Sequence, residues 1–325
     1  MNEMDLIVVG CGNSGLLSLN KILKDNPEAE VLGLEATLKI GGATSLSSRL
    51  MPLQSMLPDF YKVRETLKAP LIWWERQWTS PADVEWENKD WAFVIPQWKL
   101  YFQDLKYVEF DTESLNTLSQ KIKLESPVAQ ISKENDKWVV HSGEKTYSAS
   151  KLVWSLGLKA LNACYGKKES EALMCPNSNF VAEATEAESL LSLDFSYKGD
   201  LKFSSEEVGS SFVAVPVRHD QKLFLCFVYV SATSLETFTY LPSDFVKQPK
   251  DVSSFEKSIK RTLKHVLGET LDLSTQYIAL MDDGRSLAMS SRWSLESSES
   301  EKITFVGDFS SAADSKKTIQ AELSL

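Results

Sequence analysis

The hydrophobic positions at the start of the chain predict a strand, a helix and a second strand in succession. Residues 5–9 form a short continuous apolar run of the kind found in buried parallel strands. Apolar residues then recur at helical spacing, namely Leu16, Leu17, Leu19, Ile22 and Leu23. Asn26-Pro27 ends this helix, and residues 30–35 form the second predicted strand. The first 35 residues are therefore predicted to fold as a βαβ unit.

Further along the chain, the pattern predicts mainly strands. Residues 127–157 indicate a three-stranded meander followed by a separate buried strand. We expect further strands at 195–203, 211–217, 222–230, 277–281 and 303–306. The pattern predicts an acidic helix at 183–191 and a final helix at 312–325. An amphipathic helix is predicted at 253–267, with one apolar face made by Phe255, Ile259, Leu263 and Val266/Leu267.

The composition is that of a soluble two-domain protein. A chain of 325 residues is long for a single core. The net charge of −10 disfavours nucleic acid or an anionic membrane as partner. The start of the chain lacks the basic and apolar regions of a secretory signal, and no apolar run is long enough to span a bilayer, so we expect a cytoplasmic protein. The four cysteines and three histidines lack metal-ligand spacing, and we predict no metal site.

Six of the nine tryptophans lie between residues 73 and 98, at positions 73, 74, 78, 86, 91 and 98. Large rings of this kind usually fill the core of a small domain or an interface. One or two of them could instead face a planar or cationic substrate. We expect the core or interface role for most of them.

Three glycines near the start of the chain give the clearest indication of a binding site. Gly10, Gly12 and Gly15 form a GxGxxG motif that follows a predicted strand and opens a predicted helix. Gly10 permits a tight turn, Gly12 lets the backbone approach a pyrophosphate, and Gly15 allows close packing of helix and strand. The first-turn amides, from Asn13 and Ser14 to Leu16, should face the anion with the helix dipole behind them.

Glu35 lies 20 residues after Gly15, at the end of the second predicted strand. A carboxylate at this position accepts hydrogen bonds from the ribose hydroxyls of a dinucleotide. It would repel a 2′-phosphate, so we do not expect NADP.

The segment after Glu35 resembles a flavoprotein superfamily that contains amine oxidases, protoporphyrinogen oxidases and renalase-like proteins. Glu35-Ala36 is followed by Gly41-Gly42, and this spacing matches the acidic residue and glycine pair of that superfamily. The chain resembles it over roughly residues 5–50, 126–158 and 303–325. The resemblance implies bound FAD.

The resemblance also implies roles for residues elsewhere. Val128 would contact adenine through its main chain, Gly307-Asp308 would contact the flavin ribityl chain, and Thr318-Ile319 in the final helix would face the flavin. Ala43 stands where many members carry arginine after the glycine pair, and Arg49 is the nearest substitute. Lys317 stands where the last helix often begins with glycine. The expected cofactor site therefore comprises Gly10, Gly12, Asn13, Ser14, Gly15, Glu35, Ala36, Gly41, Gly42, Ala43, Arg49, Val128, Gly307, Asp308, Thr318 and Ile319.

We therefore expect an α/β protein with a Rossmann-like FAD-binding domain and β-meander, built from residues 1–60, 115–160 and 295–325. A smaller mixed α+β substrate domain would comprise 61–114 and 161–294. The leading hypothesis is an FAD-dependent oxidoreductase that takes a hydride from a small organic substrate, either an amine or a reduced ring. The residues identify no catalytic side chain; Lys202 and Lys222 are expected on the surface.

Two alternatives stay open. Ala43 and Lys317 motivate a non-catalytic dinucleotide-binding or interaction protein derived from the same fold. An NAD-linked dehydrogenase is the other, and Gly41-Gly42 and Gly307-Asp308 argue against it. The sequence leaves the substrate, the electron acceptor and the oligomeric state undetermined.

Overall fold

A computed structural model describes residues 2–38, 40, 46–53, 60–87, 90–92, 98, 101–156, 158–171, 174–176, 188–242, 245, 249–282, 293–295 and 302–306. The described strands are β1 Asn2–Val9, β2 Val31–Leu34, β3 Leu50–Pro52, β4 Tyr61–Leu67, β5 Ile72–Trp74, β6 Gln77–Thr79, β7 Leu105–Phe110, β8 Ile122–Lys123, β9 Val128–Glu134, β10 Lys137–Ser142, β11 Lys145–Trp154, β12 Met174–Pro176, β13 Glu188–Lys198, β14 Phe212–His219, β15 Lys222–Val230, β16 Ser234–Pro242, β17 Asp272–Asp282, β18 Trp293–Leu295 and β19 Ile303–Phe305. The α-helices are α1 Asn13–Asp25, α2 Leu46–Arg49, α3 Thr112–Ser119, α4 Leu158–Tyr165, α5 Lys167–Glu171, α6 Ser205–Val208 and α7 Pro249–Leu267, and Pro81–Asp83 forms a 3-10 turn. The mixed α/β class expected from the sequence is confirmed.

The first sheet contains the predicted βαβ unit. Its strand order is β8-β2-β1-β11-β10-β9, and β19 pairs with β11. The pairs β8–β2, β2–β1, β1–β11 and β11–β19 are parallel, whereas β11, β10 and β9 form an antiparallel meander. Because β1 has layers on both faces, its residues alternate between two cores: Leu6 and Val8 pack with α1, and Ile7 and Val9 pack on the α4 side.

The long strand β11 occupies the positions of two strands that the sequence predicted as separate. The sequence predicted a separate buried strand after the third strand of the meander, but a single strand spans 145–154. Its first half pairs with β10 and its second half with β19. The segment 148–150 stays extended because Ser148 and Ala149 pair with both β10 and β1.

The second large sheet has the order β17-β13-β16-β15-β14-β5-β6. Helix α7 covers one face through Phe255, Ile259, Leu263 and Leu267, as its periodicity predicted. The opposite face packs against the small antiparallel sheet β3-β7-β4 and against several tryptophans.

The acidic helix expected at 183–191 is wrong over residues 188–191. These residues begin strand β13, which pairs with β16 on one side and β17 on the other. Two ladders of hydrogen bonds therefore outweigh the helical preference of the alanine- and glutamate-rich segment.

The core role expected for the tryptophans is confirmed for Trp91 and Trp98, which are buried. Trp74 stacks on Trp91 with 5.8 Å between ring centroids, and Trp86 contacts both Trp91 and Trp98. These rings fill the space beside the second sheet, where they supply apolar area that a small domain needs.

Candidate functional site

The turn after β1 is fixed by contacts that leave no space for a side chain at Gly10. Gly10 has φ +85°, a conformation that disfavours other residues. A Cβ there would lie 2.7 Å from Leu156 Cδ2 and 2.7 Å from Ser155 Oγ. The Ser155 hydroxyl donates a hydrogen bond of 2.7 Å to the Gly10 carbonyl. The end of β11 therefore holds the turn at the carboxyl edge of the parallel strands.

Gly15 brings helix α1 against this turn. A Cβ on Gly15 would lie 1.9 Å from the Gly10 carbonyl oxygen, far inside van der Waals contact. Backbone and helix can approach this closely only because the side chain is a hydrogen atom.

Gly12 has the opposite surroundings. It precedes α1 as the N-cap, and no atom of the described residues lies within 4 Å of the position its Cβ would take. The first turn of α1 contains no acidic residue, and no side chain caps it. The amides of Asn13, Ser14 and Gly15 have no acceptor inside the helix, whereas Leu16 already donates to the Gly12 carbonyl. The turn thus places backbone donors that lack a helical acceptor at the positive end of a helix dipole, which suits a diphosphate.

Glu35 lies directly beside the turn. Its carboxylate is buried at 5% exposure. One oxygen accepts a 2.9 Å bond from the Cys11 amide inside the turn. The other accepts bonds from the Thr37 amide at 3.0 Å and the Thr37 hydroxyl at 2.9 Å. The carboxylate is thus held in one orientation at the end of β2.

Cys11 is buried beneath the turn, and its thiol is not ionised at neutral pH. Its sulfur would lie 2.8 Å from a Cβ on Gly33, so Gly33 provides the space that the thiol occupies. Burial, reinforced by the nearby Glu35 carboxylate, raises the pKa of the Cys11 thiol to about 12. The neutral thiol acts as a small apolar group between β1 and β2.

The region expected to hold adenine lies next to Glu35. Ala36 and Leu38 are exposed, and Leu38 is 69% accessible. Val128 begins β9 and is half-buried, and its carbonyl accepts a 3.3 Å bond from the Cys164 thiol. Two exposed apolar residues therefore follow Glu35 closely in the sequence.

Arg49 points toward the second sheet. Its Nη2 forms an ion pair with Glu236 on β16, and its guanidinium lies 5.2 Å from the centre of the Tyr107 ring. The Tyr107 hydroxyl donates to both Glu236 oxygens at 3.1 and 3.0 Å. Arg49 thus ties helix α2 to the sheet expected to carry the substrate.

The remaining predicted cofactor residues, Gly41, Gly42, Ala43, Gly307, Asp308, Thr318 and Ile319, lie outside the described residues, as does Lys317. Strand β19 nevertheless runs parallel to β11, and the Val306 amide donates to the Trp154 carbonyl. The chain just before residue 307 therefore reaches the same sheet edge as Gly10. Lys202 and Lys222 are exposed, as expected.

Sequence reasoning missed Thr37 and Ser155. A hydroxyl two residues after the acidic residue, and another directly after a buried strand, were the available signals. In the part of the chain that the structure describes, no cluster of metal-ligating side chains occurs. Nor does that part contain a helix of the length and apolarity needed to cross a membrane.

Comparison with solved structures supports this fold. A putrescine oxidase is 11% identical to this chain, with a TM-score of 0.55. The cyclohexylamine oxidase of Brevibacterium oxydans IH-35A is 12% identical, also with a TM-score of 0.55. Each of these two alignments covers 99% of this chain and 97% of the other. The myxobacterial chondrochloren halogenase CndH, a variant of FAD-dependent halogenases, is 12% identical with a TM-score of 0.51 over 99% of this chain and 72% of the other. No protein-family model and no curated protein sequence matches the chain.

Proposed function

We propose that this chain is an FAD-dependent oxidoreductase that oxidises a small organic substrate. The observation that carries the proposal is the contrast between two glycines in one turn. The Gly10 carbonyl leaves no space for a side chain at Gly15, whereas at Gly12 no atom of the described residues lies within 4 Å of where a Cβ would be. Such a turn, with the buried Glu35 beside it, fits a diphosphate and its neighbouring ribose.

The described residues have distinct tasks in this proposal. The first-turn amides of α1 would neutralise the diphosphate, and Glu35 would accept a hydrogen bond from the ribose. Bound FAD would supply the redox chemistry, by accepting a hydride from the substrate. The turn itself needs little rearrangement, because Ser155 and Glu35 already fix it.

The second sheet supports a role in substrate binding. Glu236 on its strand β16 forms an ion pair with Arg49 in helix α2, so the sheet contacts the part of the chain expected to bind the nucleotide. The names of two structural neighbours, putrescine oxidase and cyclohexylamine oxidase, favour an amine as substrate. A monooxygenase and a halogenase among the neighbours share the fold, so the fold does not restrict the substrate to an amine, and a reduced ring stays the other candidate.

The purified protein tests the cofactor directly. We expect a yellow protein that absorbs at about 450 nm and releases FAD on denaturation, as identified by mass spectrometry. Anaerobic addition of monoamines, diamines or reduced rings should bleach this absorbance for the correct class. A colourless protein that does not take up added FAD would contradict the proposal.

A second candidate is a non-catalytic nucleotide-binding or interaction protein of the same fold. Two observations favour it: Ala43 follows the glycine pair in place of arginine, and Arg49 is engaged by Glu236. Tight binding of ADP without binding of flavin would support this candidate over the oxidoreductase.

A further inference from the structure

The loop after Glu35 is fastened to a second loop by backbone hydrogen bonds. The Glu35 amide donates to the Lys123 carbonyl at 2.9 Å, and the Ser126 amide donates to the Glu35 carbonyl at 2.8 Å. The Glu125 amide donates to the Thr37 carbonyl at 3.1 Å. Because these bonds fix the main chain on both sides, the position of the Thr37 side chain is determined before any ligand arrives.

Thr37 gives the Glu35 carboxylate two of its three hydrogen bonds. Its amide and its hydroxyl both donate to one carboxylate oxygen, at 3.0 and 2.9 Å, and the Cys11 amide donates to the other at 2.9 Å. The carboxylate is therefore held from two directions, by the glycine turn and by the Thr37 loop. Rotation about its terminal torsion would break bonds on both sides.

This arrangement leaves the carboxylate a restricted capacity for a further donor. A carboxylate has about four acceptor positions, and three are used by donors from the chain itself. The remaining position is the one a ligand hydroxyl can use, and its direction is set by the three bonds already made.

We propose that Thr37 is a positioning residue that directs Glu35 toward one ribose hydroxyl of the bound nucleotide and so sets the selectivity for a ribose over a deoxyribose. This inference rests on the proposed nucleotide site. Thr37 acts through Glu35, because its hydroxyl and its amide together hold one carboxylate oxygen. Its contribution should appear in recognition of the sugar hydroxyl, whereas the diphosphate is bound by the amides of α1.

Isothermal titration with ADP and 2′-deoxy-ADP measures this contribution. A hydrogen bond from a sugar hydroxyl to a charged carboxylate corresponds to about tenfold or more in affinity, so the unmodified protein should prefer ADP by that factor. Thr37→Val keeps the shape of the side chain and removes the hydroxyl, and it should reduce the preference to about threefold or less. Thr37→Ser restores the hydroxyl and should restore the preference.

Two comparisons make the result decisive. Glu35→Gln should lose the preference for ADP, because the charged acceptor is gone. Since the preference is a ratio within each variant, a general loss of stability in Thr37→Val would not imitate the expected result. An unchanged ratio in Thr37→Val would overturn the role of Thr37 and leave the nucleotide site standing. Failure of the unmodified protein to bind either ligand would overturn the nucleotide site itself, and with it this inference.

Discussion

Gly12 and Gly15, three residues apart, should respond to the same substitution in different ways. Both are replaced by alanine, which adds one methyl group. At Gly15 that group would lie 1.9 Å from the Gly10 carbonyl oxygen, whereas at Gly12 none of the residues that the structure describes comes within 4 Å of it. The pair therefore separates the role of a glycine in packing from its role in leaving space for a ligand.

The expected cost of Gly15→Ala follows from the overlap with a backbone atom. Forcing an extra methyl into a packed site costs about 1–3 kcal/mol, and a contact this short belongs at the upper end or beyond. Alanine regains about 1 kcal/mol through its better helix propensity. A net loss of about 2 kcal/mol or more should remain, which corresponds to a melting temperature lower by about 4 °C or more.

Gly12→Ala should leave the fold nearly unchanged. Its φ of −69° and ψ of −173° are accessible to alanine. A small loss at the helix cap and a small gain from the less flexible unfolded chain are each below about 1 kcal/mol and oppose each other. Because the methyl group would project in front of the α1 amides, affinity for FAD or ADP should fall by about tenfold or more.

Thermal unfolding without ligand, combined with titration of FAD and ADP, distinguishes the two variants. We expect Gly15→Ala to be destabilised before any ligand is added, and Gly12→Ala to melt like the unmodified protein but bind weakly. Gly15→Ala as stable as the unmodified protein would refute the packing argument. Full nucleotide affinity in Gly12→Ala would refute the assignment of the space in front of α1.

Other parts of the structure give further predictions. The Arg49 and Glu236 side chains are 18% and 13% exposed, so Arg49→Met and Glu236→Gln should each lower the free energy of unfolding, measured in urea, by about 2 kcal/mol. Because the two side chains interact, the double variant should lose less than the sum of the two single losses, and a loss equal to that sum would contradict their coupling. Burial raises the pKa of both Cys11 and Cys226 to about 12, so neither thiol should be alkylated at pH 8 in the native protein. Peptide mass spectrometry measures the labelling, and rapid labelling of Cys11 would contradict its burial. The same two shifts make the free energy of unfolding fall as the pH rises from about 9 toward 12, because the unfolded thiols ionise first; equal values at pH 8 and pH 10 would contradict this.

The elements that the sequence predicts best are those with a strong local period. Helices α1 and α7 have regular apolar spacing, the glycine turn has a motif, and the structure has all three, although α7 begins at Pro249, four residues before its predicted start. Residues 188–191 have a helical composition, yet they form strand because β16 and β17, distant in sequence, pair on either side. Pairing partners of this kind are absent from any local window, so local reasoning could not include them.

At the candidate site, too, the sequence predicts local features but not contacts between distant residues. Spacing alone identified Glu35 and the three glycines as a group, since motif and strand order place them at one sheet edge. It could not show that Thr37 holds the carboxylate or that Glu236 engages Arg49, because the first depends on side-chain direction and the second joins residues 187 positions apart. The predicted domain boundaries and the remaining cofactor residues stay predictions.

The pairing of β11 with β19 has a consequence for biosynthesis. Leu152 pairs with Ile303, so about 150 residues of intervening chain must leave the ribosome before the parallel sheet gains this strand. Closing so large a loop is slow, and the edge of β11 that awaits it exposes unpaired backbone groups. During translation, folding of the sheet that contains β1 and β11 would therefore begin first and end last, while the second large sheet could form in between. A nascent chain stalled before residue 303 should consequently be more open to chaperones and proteases than the full-length product.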